Sequence, residues 1–183
     1  LFPYTTLFRS SGRSGVERRH PAHEKVNRSG GSGMSPNGKE TATGRTVSTP
    51  PSHLKASYTF DEFIEGDGNR LARSAAVAVA ESPGETNYNP LLIYGGVGLG
   101  KTHLAQAIAN HAQKKQTTES VLYVSSDRFT SQFVRAVKNN SIADFSAYYR
   151  QADLLIVDDV QFFGGKEKTQ EEFFHIFNDL HQH

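Results

Sequence analysis

The chain has no cysteine. That absence excludes a disulfide framework and any thiolate-ligated metal site, and it fits a reducing compartment. No run of about eighteen apolar residues occurs, so no transmembrane helix is expected. The first residues lack a charged segment followed by an apolar one and a cleavage site, so no secretory signal is read there. No internal repeat is visible. A basic excess is also lacking where it would matter. The net charge of +1 divides unevenly: residues 1–56 hold nine Lys/Arg against three Asp/Glu, and residues 57–183 hold eleven against sixteen. Bulk charge therefore gives the second region no claim on nucleic acid.

What is present is enough for one domain with a real core, since the chain has 183 residues. The first ten, "LFPYTTLFRS", resemble the translation of a sequencing adapter and are set aside from fold reasoning. They also suggest a piece of a longer protein. Residues 11–56 are rich in Ser, Gly, Thr, Pro and Arg, with "RSGGSGMSPNG" and "STPPS" inside. Such a segment buries too little apolar surface to offset its ordering entropy, and a disordered linker is expected.

From residue 57 the apolar spacing becomes regular. Leu71, Ala75, Ala78 and Val79 predict one face of a helix that Pro83 stops. "PLLIYGG" reads as a buried strand, and "KTHLAQAIANHAQKK" as a helix with Leu104, Ala105, Ile108 and Ala112 inward. "SVLYVSS" is the next strand. "DRFTSQFVRAVKNN" predicts a helix with Phe129, Phe133 and Val137 on its core face, and "SIADFSAYYRQA" a shorter one. "DLLIVDD" is the third strand. Thr169 and Glu172 predict a capping box before a last helix with Phe173, Ile176, Phe177 and Leu180 along one stripe. Strands alternating with helices indicate an α/β domain with a parallel sheet.

Two stretches carry chemistry. "GGVGLGKT" (Gly95, Gly96, Val97, Gly98, Leu99, Gly100, Lys101, Thr102) matches G-x-x-x-x-G-K-[ST] between a strand and a helix. Its glycines let successive backbone N–H groups turn toward phosphate oxygens, with the positive end of the helix dipole behind them. Lys101 can reach the β- and γ-phosphates, and the Thr102 hydroxyl can ligate Mg²⁺. "DLLIVDD" ends a greasy strand on Asp158 and Asp159, a costly ending unless a cation is near. Asp158 suits a second Mg²⁺ ligand, and Asp159 suits polarising or orienting an attacking water.

These residues, together with "YTFDEFIEGDGN", "VLYVSSDRFT", "NNSIADF" and "QFFGGKEKTQEEFFHIFNDLH", resemble the DnaA family of bacterial chromosomal replication initiators over residues 57–183. The resemblance implies a P-loop AAA+ nucleotide-binding domain with a parallel sheet and flanking helices, truncated before the fourth strand. That missing strand would lie between the two motif-bearing strands, leaving unpaired edges. It further implies ATP/ADP and Mg²⁺ as cofactors, a slow ATPase acting as a switch, and a cytoplasmic location. Gly95–Thr102 would form Walker A, Asp158 and Asp159 Walker B, with Lys101 and Asp159 the catalytic pair, and Asn69 would lie beside the adenine. Val134, Arg135, Lys166 and Lys168 would contact single-stranded DNA. In the whole initiator one would expect ATP-dependent self-assembly and melting of origin DNA. Double-stranded binding would use a further C-terminal domain, and recruitment of the replicative helicase an N-terminal one.

A helicase loader or initiator-like regulatory ATPase would share both motifs. A metabolic P-loop kinase would want a substrate lid in place of the basic loop at Lys166–Lys168, and a plain structural protein would need neither motif. His175, His181 and His183 do not share a helical face well and are not read as metal ligands. His103 and His111 are read as packing or surface residues. Tyr148, Tyr149 and the phenylalanines are read as core and near-core.

Overall fold

The computed structural model describes residues 4–9 and 54–182. All but the last three residues of the expected linker lie outside the described residues. The elements are β1 (Tyr4–Arg9), α1 (Arg70–Glu81), β2 (Leu91–Tyr94), α2 (Lys101–Lys115), β3 (Val121–Ser125), α3 (Ser126–Lys138), α4 (Ile142–Arg150), β4 (Leu154–Asp158), a 3₁₀ turn (Val160–Phe163) and α5 (Glu167–Gln182).

The sheet runs in the order β2-β1-β4-β3. β3 pairs parallel with β4, from Val121 opposite Leu154 to Ser125 opposite Asp158. β1 is antiparallel to both β2 and β4. Consequently β2, β3 and β4 share one direction, and their C-terminal ends share one edge. The parallel α/β arrangement expected from the sequence is present, but the expected gap between β2 and β4 is not. Residues 4–9, set aside above, fill it. Every residue of β4 is buried, so an unpaired β4 edge would leave N–H and C=O groups without partners. The run Tyr-Thr-Thr-Leu-Phe is rich in strand-favouring residue types and can supply them.

Alternation along β4 builds the two cores. Leu154 and Ile156 face α1 and α2, packing with Ala76, Val79, Leu104 and Ile108. Leu155 and Val157 face the other way, packing with Phe129, Phe133, Tyr149, Ile176 and Leu180 from α3, α4 and α5. The outcome is a helix–sheet–helix sandwich.

Several local expectations are corrected. Leu71 is exposed, and Ala75, Ala76, Val79 and Ala80 form the buried face of α1. On α3 the third core residue is Ala136, not Val137, which is 44% exposed. Seven residues after Phe129 return the helix to within about 20° of that face, whereas eight carry it about 80° past. The capping box does not form. α5 begins two residues before Thr169, and Glu172 instead accepts a hydrogen bond from the Ser146 hydroxyl. Phe162 and Phe174 are exposed, while Phe129, Phe133, Phe145, Phe163 and Tyr149 are buried, with Tyr148 packed beside them.

Candidate functional site

The glycine-rich loop follows β2 and opens α2. Gly98 and Gly100 have φ of 81° and 84°, left-handed values that disfavour a side chain. At Gly100 space forbids one as well, because an added Cβ would lie 2.8 Å from Cε2 of Phe63. Lys101, the first residue of α2, is buried, and its ammonium donates to the Gly96 carbonyl at 2.6 Å. The lysine thus folds back over the loop that precedes it. Thr102 lies beside it in the first turn, where backbone N–H groups lack intrahelical partners.

A strap of residues 54–63 lies over the polar side of α2. Gln106 accepts from the Lys55 backbone N–H at 2.8 Å, and the Asn110 amide donates to the carbonyls of Lys55 and Tyr58. His103 bonds the Thr59 carbonyl and stacks on Tyr58, and Phe60 meets His111 edge-on. Both histidines are therefore packing residues. Asn69 closes the following turn, accepting from Gly66 N–H and donating to the Ile64 carbonyl.

Asp158 ends β4 on the same face as Leu154 and Ile156, since side chains alternate. That is the face covered by α2. Only 2% of Asp158 is exposed. Its Oδ2 accepts from the Tyr123 hydroxyl at 2.9 Å, and its Oδ1 from the Asp159 backbone N–H at 3.0 Å. Tyr123 in turn accepts from the Gln106 amide at 3.1 Å. Burial, reinforced by the charge on Asp158, pushes the Tyr123 phenol well above its usual acidity range, so it stays protonated. A chain of hydrogen bonds thus joins α2, which the glycine-rich loop opens, to Asp158 across β3. The sequence reading missed Tyr123 and Gln106. The available signal was a hydroxyl-bearing ring two residues before the end of the neighbouring strand β3.

Asp159 leaves the sheet in the left-handed region, with φ 58°. Its carbonyl accepts from the Ser126 hydroxyl, and its carboxylate from the Gln161 amide. Strained backbone of this kind persists where the surroundings hold it. Here Ser126 ties the Asp159 carbonyl, and the 3₁₀ turn that follows is packed down by Phe163, which with Phe173 meets Phe129 at 5.5 and 5.7 Å between centroids.

The remaining candidates lie on the opposite layer. Val134 and Arg135 are exposed on α3. Lys166 precedes α5, and its ammonium lies 3.5 Å from the Asp127 carboxylate on α3. Asp127, Val134 and Lys138 are spaced i, i+7, i+11 and so share one helical face. The ion pair therefore docks Lys166 at the start of the face that bears Val134. Lys168, expected in the loop, is exposed on the first turn of α5. Among the described residues no helix is long and apolar enough to cross a membrane.

The family model described as the bacterial DnaA ATPase domain matches residues 54–183. The chain belongs to the DnaA family. It is 56% identical over 131 residues to the chromosomal replication initiator DnaA of Chlorobaculum tepidum and 58% identical to that of Flavobacterium psychrophilum. The match takes in 72% of this chain but 27% of each of those proteins, so the chain spans about a quarter of these DnaA relatives. Among solved structures it is similar to domain III of Thermotoga maritima DnaA, with a TM-score of 0.65 and 40% identity over 73% of this chain and 54% of that one. It is also similar to a DnaA bound to AMPPCP and single-stranded DNA, and to AMPPCP-bound DnaA from Aquifex aeolicus. Each has a TM-score of 0.64, at 42% and 43% identity over 72% of this chain and 40% of the other. The fold is accordingly that of the DnaA AAA+ domain.

Proposed function

We propose that this chain binds ATP and ADP through residues 95–102 and acts within an initiator of bacterial chromosomal replication. The observation that carries this reading is the hydrogen-bonded link from α2, which the glycine loop opens, through Gln106 and Tyr123 to Asp158. Backbone N–H groups of the loop and the N-terminus of α2 would cradle the phosphates. Lys101 would exchange the Gly96 carbonyl for the β- and γ-phosphates, where its charge is better used. Thr102 and Asp158 present hard oxygen donors, the set that suits Mg²⁺ held jointly by protein and phosphates. When bound, the ion supplies charge neutralisation at the phosphoryl oxygens. Asp159 would orient the attacking water, and Asn69 would lie beside the base.

Support for a DNA partner is the exposed Val134, Arg135 and Lys168 with the half-buried Lys166 paired to Asp127, together with the solved relative bound to single-stranded DNA. Origin melting, ATP-dependent self-assembly, helicase recruitment and a cytoplasmic location are proposals for the whole initiator. A second superfamily reading, as a helicase loader, has no specific observation in its favour.

The test is nucleotide binding by calorimetry and hydrolysis by phosphate release. Lys101→Ala should abolish ATP binding, because the lost ammonium faces two charged phosphates. Asp159→Asn should spare binding and slow hydrolysis. Unchanged affinity in the lysine variant, or equal loss of binding in both, would overturn the roles assigned.

A further inference from the structure

The polarity of the chain from Lys55 to Asp158 is set at its far end. The Lys55 backbone N–H can only donate, and it meets Gln106 at Oε1. The Gln106 amide must therefore present its NH₂ to Tyr123, which fixes the orientation that otherwise has to be assigned. An NH₂ only donates, so the phenol oxygen accepts and the phenol proton must point elsewhere. Asp158 Oδ2, at 2.9 Å, is where it goes. The second carboxylate oxygen is held by the Asp159 backbone N–H. Asp158 and Gln106 are at most 5% exposed and Tyr123 between them is partly buried, so both partners of the phenol are shielded from water.

We propose that Tyr123 is a positioning residue that holds the Asp158 carboxylate in the orientation a divalent cation requires, with Gln106 directing the phenol proton. The inference rests on the reading of Asp158 as a metal-holding group. Two donors on two different oxygens leave the carboxylate no free rotation. Partners of this kind around metal ligands typically matter by about 10–100-fold in metal affinity. Tyr123 lies on a different strand from both motifs, so it couples β3 to the site without touching the phosphates.

The experiment uses the full chain with a fluorescent ATP analogue, in excess EDTA and across a Mn²⁺ titration. Electron paramagnetic resonance of Mn²⁺ in the presence of ATP gives a second measure. Tyr123→Phe removes only the hydroxyl. It should leave the EDTA affinity for nucleotide unchanged and raise the Mn²⁺ concentration for half-maximal effect by about tenfold or more. Gln106→Glu keeps the acceptor for Lys55 but replaces the donor by a second acceptor, which turns the phenol proton away from Asp158. It should reproduce the Mn²⁺ shift at pH 8, although its added negative charge alone would attract a cation. In the double variant the shift should be no larger than in Tyr123→Phe, because no proton remains to turn.

Asp158→Asn is the reference. If it shifts the Mn²⁺ dependence and Tyr123→Phe does not, the positioning role is wrong and the reading of Asp158 stands. If neither shifts it, the reading of Asp158 fails as well. Equal weakening with and without metal in Tyr123→Phe would make the residue merely structural and would also overturn the proposal. Should Tyr123→Phe fail to fold, Gln106→Glu alone decides, with an unchanged Mn²⁺ dependence counting against it.

Discussion

Replacing Gly100 by alanine separates two demands that the glycine-rich loop places on one residue. Gly98 and Gly100 have nearly the same left-handed φ, 81° and 84°. A side chain in that region costs about 1–2 kcal/mol, and the unfolded chain returns about 0.4–1 kcal/mol of it through lost backbone freedom. Both alanine variants share those contributions. The difference is space. At Gly98 no atom lies within 4 Å of an added Cβ, whereas at Gly100 the Phe63 ring lies at 2.8 Å. Phe63 is itself buried and set edge-on to His103, so the ring cannot swing clear without repacking. Overpacking of that kind costs about 1–3 kcal/mol. Gly98→Ala should therefore lose about 1 kcal/mol and Gly100→Ala about 2–4 kcal/mol in urea unfolding. With m-values of about 1–3 kcal/mol/M, the two midpoints should separate by about 1 M. Gly100→Ala combined with Phe63→Leu should recover part of the difference. Equal midpoints for the two alanine variants would refute the claim that the strap presses on the loop.

On the opposite layer, Lys166→Ala with Lys168→Ala should weaken binding to single-stranded DNA with little sequence preference. It should also flatten the slope of log K against log salt by about 1.4, read by fluorescence anisotropy. Asp127→Asn should do the reverse, because the carboxylate 3.5 Å from Lys166 competes with a phosphate for it. An unchanged slope in the lysine variant would mean that these charges are only solvated. In alkali, burial holds the Tyr123 and Tyr149 phenols above the ordinary tyrosine value of about 10, aided at Tyr123 by Asp158 and at Tyr149 by Tyr148. The unfolded chain therefore loses these protons first, so the stability present below pH 10 declines as pH rises. Each tyrosine contributes at most about 1.4 kcal/mol per pH unit. Tyr123→Phe should remove one of the two contributions, and pH-dependent urea midpoints that do not move would count against the partly buried Tyr123–Asp158 contact.

What could be read along the chain was what covalent geometry repeats locally. The apolar spacing of α2 and α5, the alternation in β4 and the order Gly95–Thr102 follow from helical and strand periods and from the freedom of glycine. They were enough to place the loop between strand and helix and Asp158 at a strand end. The tertiary structure decided what those periods leave open. The strand-favouring residue types of residues 4–9 are legible in the sequence, but their place in the sheet is set by the edges that β2 and β4 expose to them. Val137 turns outward because Ala136 lies closer to the face that the aromatic cluster needs. Thr169 does not cap because α5 starts earlier and Ser146 claims Glu172 from another helix. Tyr123 and Asp158, 35 residues apart, meet because β3 and β4 pair in parallel with Ser125 opposite Asp158. A one-residue slip in that register would send Tyr123 to the other face of the sheet. Register is chosen by the packing of both cores at once, a condition no local stretch of sequence contains.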